Sequence, residues 1–354
     1  MLKHMKRKQI TVLGGGIAGL SAAIALEKTG HHVTILEKTK VFDPFGAGLQ
    51  LGPNAVRAMQ KLGVWEAVEP IASSPPALRF HSAASGRLLT EVPLGQDFVG
   101  RFGQPYRIAH RADLHEALLG VVRSTENITL KMGQDVNPLD LKGPVIAADG
   151  MWSKTREILF PSISPQKLPI TIFRAMIDVP KIDGVDLNCV NLWMYKNAHF
   201  VHYPIANRGK LNIVAVAAEP GPQAAFANAH ALPHAILSHV KSFAPWVAAV
   251  LPPMVQWHKD NILLIGDAAH GTVPFLAQGA AMALEDAATL MDTTDPVSFT
   301  QQRSARCVRL SKQTVSTGEI YHYSGIKALA RDTLLRFHTH DLLIERVGWI
   351  YRGA

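Results

Sequence analysis

The stretch from Ile10 to Lys38 constrains the fold of this chain more than any other. A β-branched run that begins at Ile10 leads into the glycine turn Gly14-Gly15-Gly16-Ile17-Ala18-Gly19, which an apolar helical run and a second β-branched segment follow. That segment ends in Glu37, 23 residues after Gly14. Strand, glycine turn, helix, strand and acid in this order predict a dinucleotide-binding βαβ unit.

Each position of the glycine turn has its own physical role. Gly14 permits the tight turn, Gly16 lets the backbone approach a pyrophosphate, and Gly19 allows the helix to pack closely on the strand. The helix N-terminus supplies N–H groups and partial positive charge, and the acid accepts a ribose hydroxyl. The predicted cofactor contacts in this stretch are Gly14, Gly16, Ala18, Gly19, Glu37 and Lys38. NAD and FAD share this fingerprint, and a glycine-rich turn of an ordinary α/β domain is the alternative.

Length and composition limit the class of protein. The chain has 354 residues, which is enough for two intimately joined domains. With 47% hydrophobic and 18% charged residues, the composition is typical of a soluble globular protein. No stretch approaches the roughly 20 apolar residues of a membrane span, and the two cysteines, Cys189 and Cys307, lack the spacing of metal ligands. We therefore predict a cytoplasmic protein without a metal site and without stable membrane association.

The net charge of +8 is spread along the chain rather than gathered in blocks. A nucleic-acid-binding protein would carry a basic face interleaved with aromatic residues, and aromatic residues make up only 7% of this sequence. We therefore predict no nucleic-acid partner. The charge is consistent with steering of anions such as NADPH or a carboxylate substrate, and equally with a solvated surface that has no special role.

Alternating apolar residues predict a second, β-rich unit. Leu78 to Val92 is predicted as two strands joined at Ser85-Gly86, and further strands between Ile170 and Val216 are predicted to form an antiparallel sheet. Pro245 to Val250 is predicted as a short helix. The tail from Phe299 carries an apolar stripe at helical spacing, which fits a domain cap or a dimer face better than a membrane surface. The protein is therefore expected to be a monomer or a homodimer.

These elements predict an α/β fold. A Rossmann-like dinucleotide-binding domain carries an inserted antiparallel β-sheet domain for the substrate and is followed by C-terminal helices. The dinucleotide-binding domain is discontinuous and comprises residues 1–72, 106–165 and 255–295. The substrate domain comprises residues 73–105 and 166–254, and the C-terminal helical region comprises residues 296–354.

Two further motifs lie far from the glycine turn. One is Ala148-Asp149-Gly150 with Ser153 and Arg156, and the other is Gly266-Asp267-Ala268-Ala269-His270, which continues through Pro274 to Asp286. Together with the glycine turn they resemble the class A flavoprotein aromatic hydroxylases, which have the fold of p-hydroxybenzoate hydroxylase. Within that family the chain looks like the salicylate and 3-hydroxybenzoate hydroxylases. The resemblance spans nearly the whole chain and implies FAD as the cofactor.

The resemblance also implies how FAD is held. Asp267 accepts a hydrogen bond from a ribityl hydroxyl, unless it only caps a helix, and Pro274 shapes the loop over the flavin. Backbone N–H groups at the start of the helix at Gly279 face the flavin edge on which negative charge gathers during reduction. Arg111, or Arg107 in its place, reaches the pyrophosphate, unless these cations form surface ion pairs. The further cofactor contacts that the resemblance implies are Arg107, Arg111, Asp149, Asp267, Gly279, Ala280 and Ala281. Gln50 is a weaker candidate for a contact to the flavin or to the substrate.

The implied reaction is the hydroxylation of a small phenolic or heteroaromatic acid. NADPH or NADH binds transiently, since the sequence has no second nucleotide fingerprint. Reduced FAD then adds O2, and the resulting flavin C4a-hydroperoxide attacks an electron-rich ring carbon. Two alternatives stay open: a flavin oxidoreductase of quinone or secondary-metabolite biosynthesis, and a degenerate flavin-binding protein without catalysis.

Ring activation requires a base near the ring hydroxyl, and the strand from His199 to Tyr203 offers candidates. Because side chains alternate along a strand, His199 and Tyr203 share one face and His202 lies on the other. We favour His202 as the base, since a neutral histidine suits this role, with Tyr203 and Pro274 as further catalytic candidates. A structural histidine is the alternative. Arg174, on a neighbouring strand, is a weaker candidate for a carboxylate contact.

One segment departs from the family pattern. Only 12 residues separate Val136 from Asp149, where family members carry a longer hairpin beside the adenosine. We expect a tighter loop from Pro138 to Pro144 in its place. Such a loop leaves the AMP end of FAD with less support, so weakened FAD retention is an expectation as well.

Overall fold

The fold is described from a computed structural model, which covers residues 8–42, 46–293, 295–337 and 340–353, with only the backbone of residues 340–342. The strands in chain order are β1 Gln9–Leu13, β2 His32–Glu37, β3 Gly48–Leu51, β4 Ala77–Ser82, β5 Leu88–Pro93, β6 Arg107–His110, β7 Ile128–Met132, β8 Val145–Ala147, β9 Gln166–Asp178, β10 Val190–Tyr195, β11 Ala198–Ile205, β12 Lys210–Ala217, β13 Ala244–Val250, β14 His258–Lys259 and β15 Ile262–Leu264.

The helices lie between these strands and after them. In chain order they are α1 Ile17–Lys28, α2 Pro53–Leu62, α3 Trp65–Val68, α4 Gln96–Phe102, α5 Arg111–Ser124, α6 Lys154–Leu159, α7 Pro222–Ala225, α8 Ala231–Ser238, α9 Asp267–His270, α10 Gly279–Leu290, α11 Pro296–Tyr321, α12 Gly325–Phe337 and α13 His340–Tyr351. Short 3-10 turns are formed by Glu69–Ile71, Pro138–Asp140, Ala206–Arg208 and Pro274–Leu276.

The first sheet is the predicted dinucleotide-binding sheet. Within the described ranges it has six strands in the order β14-β15-β8-β1-β2-β7. All neighbouring strands pair in parallel except the edge pair β14–β15. Helices α1, α5 and α10 pack together beside this sheet. Apolar side chains of α1 such as Leu20 and Ile24 are buried with Val12 and Ile35 of the strands, which confirms the α/β fold class.

The second sheet has seven strands within the described ranges, in the order β13-β9-β12-β11-β10-β4-β5. Its strands fall within residues 73–105 and 166–254, the segments predicted for the substrate domain. Two expectations require correction. The strands between Ile170 and Val216 pair antiparallel as predicted, but the whole sheet is mixed, because β4 pairs in parallel with β10. The segment from Ala244 to Val250, predicted in part as a helix, is an edge strand, since hydrogen bonding to β9 outweighs local preference.

The two faces of this second sheet have different partners. On one face, Phe173, Trp193 and Phe200 are buried with Ile236 and Leu237 of α8. On the other face, side chains such as Leu192, Val201 and Val214 line a cavity that the C-terminal helices close. Helices α12 and α13 pack on β5, so the tail serves as a domain cap, which is one of the two predicted roles. None of the described helices combines the length and the apolar character needed to cross a bilayer.

The segment between β7 and β8 is short, as predicted. The 3-10 turn Pro138–Asp140 stands in residues 133–144, where Asn137 accepts a hydrogen bond from the backbone of Leu139 at 3.2 Å. The described chain has no hairpin at this point. Strand β8 follows directly and pairs with β1.

Candidate active site

The glycine turn at the start of α1 forms an open backbone surface. Gly14 has a φ of +98°, and a Cβ on it would lie 2.5 Å from the carbonyl oxygen of Ala148. A Cβ on Gly19 would lie 1.9 Å from the carbonyl oxygen of Gly14, so neither position accepts a side chain. At Gly16, by contrast, no described atom lies within 4 Å of a Cβ. The turn is packed against the protein on one side and open to a ligand at Gly16.

Glu37 is held at the end of β2, next to this turn. Its Oε2 accepts a hydrogen bond from the backbone N–H of Gly15 at 2.6 Å. Its Oε1 accepts from the backbone N–H and the hydroxyl of Thr39, at 2.8 and 3.0 Å. The carboxylate is therefore fixed in orientation and retains acceptor capacity for ribose hydroxyls. Lys38 is exposed beside it.

The motif Ala148-Asp149-Gly150 stabilises the loop that follows it. Asp149 accepts hydrogen bonds from the hydroxyl of Ser153 at 2.6 Å and from the backbone N–H of Thr155 at 3.0 Å, and so holds the start of α6. Buried Arg156 donates to the carbonyl oxygens of Ala268 at 2.9 Å and Met151 at 2.7 Å. The Asp149 carboxylate therefore positions the loop beside Gly14, and Arg156 ties this loop to the third motif.

The third motif contributes an unengaged carboxylate. Asp267 follows β15, its side chain is open to solvent, and no described group donates a hydrogen bond to it. The protein atoms around the Asp267 carboxylate displace part of its water and so raise its pKa, whereas the charges of His270 and Arg111 act to lower it. Arg111 at the start of α5 and Gly279 at the start of α10 are exposed as well. A Cβ on Gly279 would meet no described atom within 4 Å.

The residues of this groove have the chemistry that FAD binding requires. The groove combines an open glycine turn, an oriented acid and a free carboxylate, which suit a pyrophosphate, a ribose and a polyhydroxyl chain respectively. Arg107 does not join this groove. It bonds to the hydroxyl of Ser74, lies 4.0 Å from a carboxylate oxygen of Glu69 and stands over the ring of Trp65. We therefore replace the paired candidates by Arg111 alone.

A cavity of about 730 Å³ adjoins the Pro274–Leu276 turn. The second sheet forms one wall, and α11, α12 and α13 form the opposite wall. Gln50 lines the cavity and accepts a hydrogen bond from the hydroxyl of Tyr106 at 2.7 Å.

Tyr203, a predicted catalytic candidate, is hydrogen-bonded to Gln50, and burial raises the pKa of Tyr203. Because Tyr203 packs between Ile108, Val190 and Ile205 behind this wall, it supports Gln50 rather than lining the cavity.

His199 lines the cavity. Its Nδ1 lies 2.8 Å from Nε2 of His322, and its ring packs edge-on against Phe275 and Tyr321 at centroid distances of 5.1 and 5.2 Å. Burial and, secondarily, the charge of His322 lower the pKa of His199 well below the ordinary histidine value. The ring is therefore neutral near pH 7, and Nε2 is the ring nitrogen left available for a ligand.

His202, the base that we favoured from the sequence, lies on the opposite face of β11. Its Nε2 accepts a hydrogen bond from Nε1 of Trp193 at 3.1 Å, and its ring stacks near Phe200. Burial, followed by the charge of His81, lowers the pKa of His202 to about 3. The side chain belongs to the core under α8 and is separated from the cavity by the sheet, so we withdraw it as the base in favour of His199.

The other site residues fall into two groups, those that the sequence predicted and those that it did not. Pro274 lines the cavity, and Ala277 after it has a φ of +54°, an uncommon conformation for a residue with a side chain. Arg174 is on the cavity-side face of β9, but it stacks on Trp246 at 4.8 Å and does not line the cavity. His322 was not predicted as a site residue, because only the packing of α11 brings it to His199. The same holds for Gly318, where a Cβ would lie 2.4 Å from the Phe275 ring.

A dinucleotide groove, together with an apolar cavity against a mixed sheet, is the arrangement that the resemblance to flavin-dependent hydroxylases predicts. The family model described as "FAD binding domain" matches residues 7–136 and 144–293 of this chain. The chain belongs to this family, as a class A FAD-dependent aromatic hydroxylase. The unmatched interval between the two segments coincides with the short loop around Pro138–Asp140.

Curated relatives cover nearly the whole chain. It is 31% identical to a 3-hydroxybenzoate 6-hydroxylase of Polaromonas naphthalenivorans, over 97% of this chain and 95% of the relative. It is 30% identical to the enzyme of the same name from Klebsiella oxytoca, over 96% and 95%. A 6-hydroxynicotinate 3-monooxygenase of Bordetella bronchiseptica is 28% identical, over 80% and 82%.

Solved structures share the fold. HpxO of Klebsiella pneumoniae, complexed with FAD and uric acid, superposes with a TM-score of 0.83 at 20% identity, over 99% of this chain and 97% of the other. A salicylate hydroxylase substrate complex superposes with a TM-score of 0.78 at 23% identity, over 98% and 95%. These likenesses support the two-sheet architecture with its C-terminal helices.

Proposed function

We propose that the protein is an NAD(P)H-consuming monooxygenase that hydroxylates a phenolic or heteroaromatic acid. The observation that carries the proposal is the placement of neutral His199 in the wall of an apolar cavity, beside the Pro274–Leu276 turn. The names of the relatives, which include hydroxybenzoate and hydroxynicotinate hydroxylases, support the substrate class.

The groove residues would hold FAD along its length. The glycine turn from Gly14 to Gly19 and the N-terminus of α1 would bind the pyrophosphate, and Glu37 the ribose. Asp267 would bind the ribityl chain, and the N-terminus of α10 would stabilise negative charge at the flavin edge. When bound, FAD supplies hydride acceptance from NAD(P)H and activation of O2 for transfer to the ring.

His199 prepares the substrate for this chemistry. With the Nδ1 proton donated to His322, Nε2 carries a lone pair that accepts the proton of a ring hydroxyl. Loss of that proton makes the ring electron-rich at the positions ortho and para to the oxygen, where electrophilic oxygen is added. The lowered pKa of His199 keeps Nε2 unprotonated until substrate binds, and the negative charge of the phenolate formed beside it then stabilises the proton on Nε2.

The cavity wall contributes by excluding water. Val201, Val214 and Val216 of the sheet and Phe275 of the turn present apolar surface to the reacting ring. Exclusion of water protects a reactive oxygen species from release as peroxide. Gln50, fixed by Tyr106, provides a polar group at this end of the cavity.

The test is a reconstitution experiment. Protein loaded with FAD should be yellow, and hydroxylated aromatic acids should accelerate its NAD(P)H oxidation with formation of a hydroxylated product. A His199→Asn variant should retain FAD and consume NAD(P)H with more peroxide and less product. Failure of the protein to bind FAD would refute the proposal.

A second candidate is suggested by the short segment around Pro138–Asp140. If this segment deprives the AMP end of FAD of necessary contacts, the protein binds flavin without catalysis. In that case NAD(P)H does not reduce the flavin in the presence of any aromatic ligand. Activity with quinone precursors but not with simple hydroxyaromatic acids would instead favour a role in quinone or secondary-metabolite biosynthesis.

A further inference from the structure

The cavity is larger than a single aromatic ring requires. Its volume is about 730 Å³, whereas an engineered apolar cavity of roughly 150 Å³ is enough to bind benzene. The excess space does not adjoin the groove residues. It lies between the second sheet and helices α12 and α13, which we name the C-terminal cap. The lining there is apolar: Leu78, Phe80, Leu192, Leu334, Leu335 and Leu343. We name this part of the cavity, defined by these six residues, the distal chamber.

The charges of the cavity lie on the side of the distal chamber. Among the described residues, its lining includes four Arg or Lys side chains and no Asp or Glu. Two of the cations are neutralised: Arg79 pairs with Glu91 and with Asp186, and Arg331 pairs with Asp332 at 2.7 Å.

The two other cations of the lining are available to a ligand. Lys327 of α12 and Arg346 of α13 are exposed and have no ion-pair partner in the described part of the chain. The Lys327 ammonium lies 5.7 Å from the centroid of the Tyr323 ring. Both residues belong to the C-terminal cap, so a carboxylate attracted by them lies on that side of the cavity.

The reacting ring and the two available cations therefore lie at different walls of the cavity. On the function proposed above, the ring lies against His199 and the Pro274–Leu276 turn, on the sheet side. No described Arg or Lys of the cavity lining belongs to β11 or to that turn. A compact hydroxybenzoate with its ring beside His199 would keep its carboxylate in an apolar part of the cavity, which is unfavourable.

We propose that the substrate is an amphiphilic hydroxyaromatic acid, in which an apolar spacer of several carbons separates the phenolic ring from a terminal anion. The ring lies beside His199, the spacer fills the distal chamber, and the anion reaches Lys327 and Arg346. This inference rests on the proposed hydroxylase function and defines its substrate class.

The test uses a homologous series on the FAD-loaded protein. The series comprises 3-hydroxybenzoate, 3-(3-hydroxyphenyl)propanoate, 6-(3-hydroxyphenyl)hexanoate and 8-(3-hydroxyphenyl)octanoate. Each buried methylene is expected to lower KM by about two- to fourfold until the anion reaches the cations. Calorimetric binding of the analogues without the ring hydroxyl, which cannot be hydroxylated, should show the same order of Kd.

Two matched pairs of measurements test whether the distal chamber and Lys327 cause the preference for long acids. Leu335→Trp fills the distal chamber and should remove the advantage of the long acids, whereas Leu329→Trp, on the exposed side of the same helix, should preserve it. Lys327→Gln should weaken the binding of 8-phenyloctanoate about fivefold but leave that of its primary amide unchanged.

The possible outcomes separate this inference from the proposed function. If all four acids support turnover with equal KM, or if 3-hydroxybenzoate is best, the hydroxylase function stands and the inference is overturned. If no acid in the series stimulates NAD(P)H oxidation while the long analogues bind, the hydroxylase function fails. Equal effects of Leu335→Trp and Leu329→Trp on the long acids would also overturn the placement in the distal chamber.

Discussion

Nδ1 of His199 lies 2.8 Å from Nε2 of His322, so that a strand of the inserted sheet is hydrogen-bonded to the end of α11 across the wall of the cavity. Both rings are held neutral: burial lowers the pKa of His199 well below its ordinary value and that of His322 to about 4. One ring must donate and the other accept. When His199 donates, its Nε2 is free to act as a base.

We predict that His322→Phe weakens catalysis without loss of FAD. Removal of one hydrogen bond between neutral groups costs about 1 kcal/mol, which corresponds to about a fivefold decrease in kcat/KM. The kinetic readout is the pH profile. Neutral His199 is the active form, so the acid limb of wild-type kcat/KM should lie below pH 6.5, the ordinary histidine pKa. His322→Phe should lower kcat/KM at neutral pH without moving this limb above pH 6.5, since burial, the larger cause of the lowered pKa of His199, remains.

The control is His322→Gln, whose carbonyl oxygen can accept the Nδ1 proton. It should recover most of the activity that the Phe variant loses. If the Phe and Gln variants both have the kcat/KM of the wild type at neutral pH, His322 has a packing role only.

The glycine turn yields a prediction on cofactor binding. Gly16→Ala adds a methyl group where no described atom lies within 4 Å, so the apo protein should keep its Tm within about 1 °C. The same methyl group would obstruct the approach of a pyrophosphate, and the Kd for FAD should rise about tenfold or more. Fluorescence titration with FAD measures this change.

Gly19→Ala is the contrasting variant. Its Cβ would lie 1.9 Å from the carbonyl oxygen of Gly14, so the apo protein itself should lose about 3 kcal/mol or more of stability. Equal losses of apo stability in the Gly16 and Gly19 variants would show that Gly16 does not face an open groove.

The sequence was informative wherever local chemistry decides the structure. The glycine turn with Glu37 predicted the βαβ unit, because a turn that binds a pyrophosphate needs those residues at that spacing. Strand periodicity correctly divided His199 from His202. The choice between the two faces was beyond the sequence, because the same alternation fits either orientation of the sheet relative to the cofactor domain.

Long-range packing accounts for the remaining differences. The β13 strand from Ala244 to Val250 forms because β9 offers a free edge, which is a property of the assembled sheet rather than of the segment. The contact between His199 and His322 joins residues 123 positions apart. Neither relationship has a local sequence signature, and the distal chamber exists only once α12 and α13 have packed on β5.

Gly318 is predicted to control the Pro274–Leu276 turn. A Cβ on this residue of α11 would lie 2.4 Å from the ring of Phe275, so Gly318→Ala should displace the ring and the turn that carries it. The expected result is a higher KM for the aromatic substrate and more peroxide per NAD(P)H, with FAD still bound. Gly120→Ala, where a Cβ meets no described atom within 4 Å on α5, should stabilise the protein by about 0.5–1 kcal/mol and leave coupling unchanged. Unchanged coupling in the Gly318 variant would contradict the prediction.

Buried neutral histidines predict loss of stability in mild acid. The pKa of His202 falls from about 6.5 in the unfolded chain to about 3 in the folded protein. Between these values the unfolded state binds more protons, so stability is fully present above pH 6.5 and declines as the pH falls, by up to about 1.4 kcal/mol per pH unit for each such residue.

The variant that tests this linkage is His202→Gln, whose carbonyl oxygen can accept the hydrogen bond from Trp193. Urea unfolding of the apo protein at pH 7 and pH 5 should show that the stability lost between the two pH values is smaller by about 2 kcal/mol than in the wild type. His239→Gln, at the exposed end of α8, should leave that loss unchanged. Since His81, His199 and His322 also have lowered pKa values, the His202 variant should retain part of the pH dependence. An identical loss in the variant and the wild type would mean that His202 is protonated in the folded protein at pH 5.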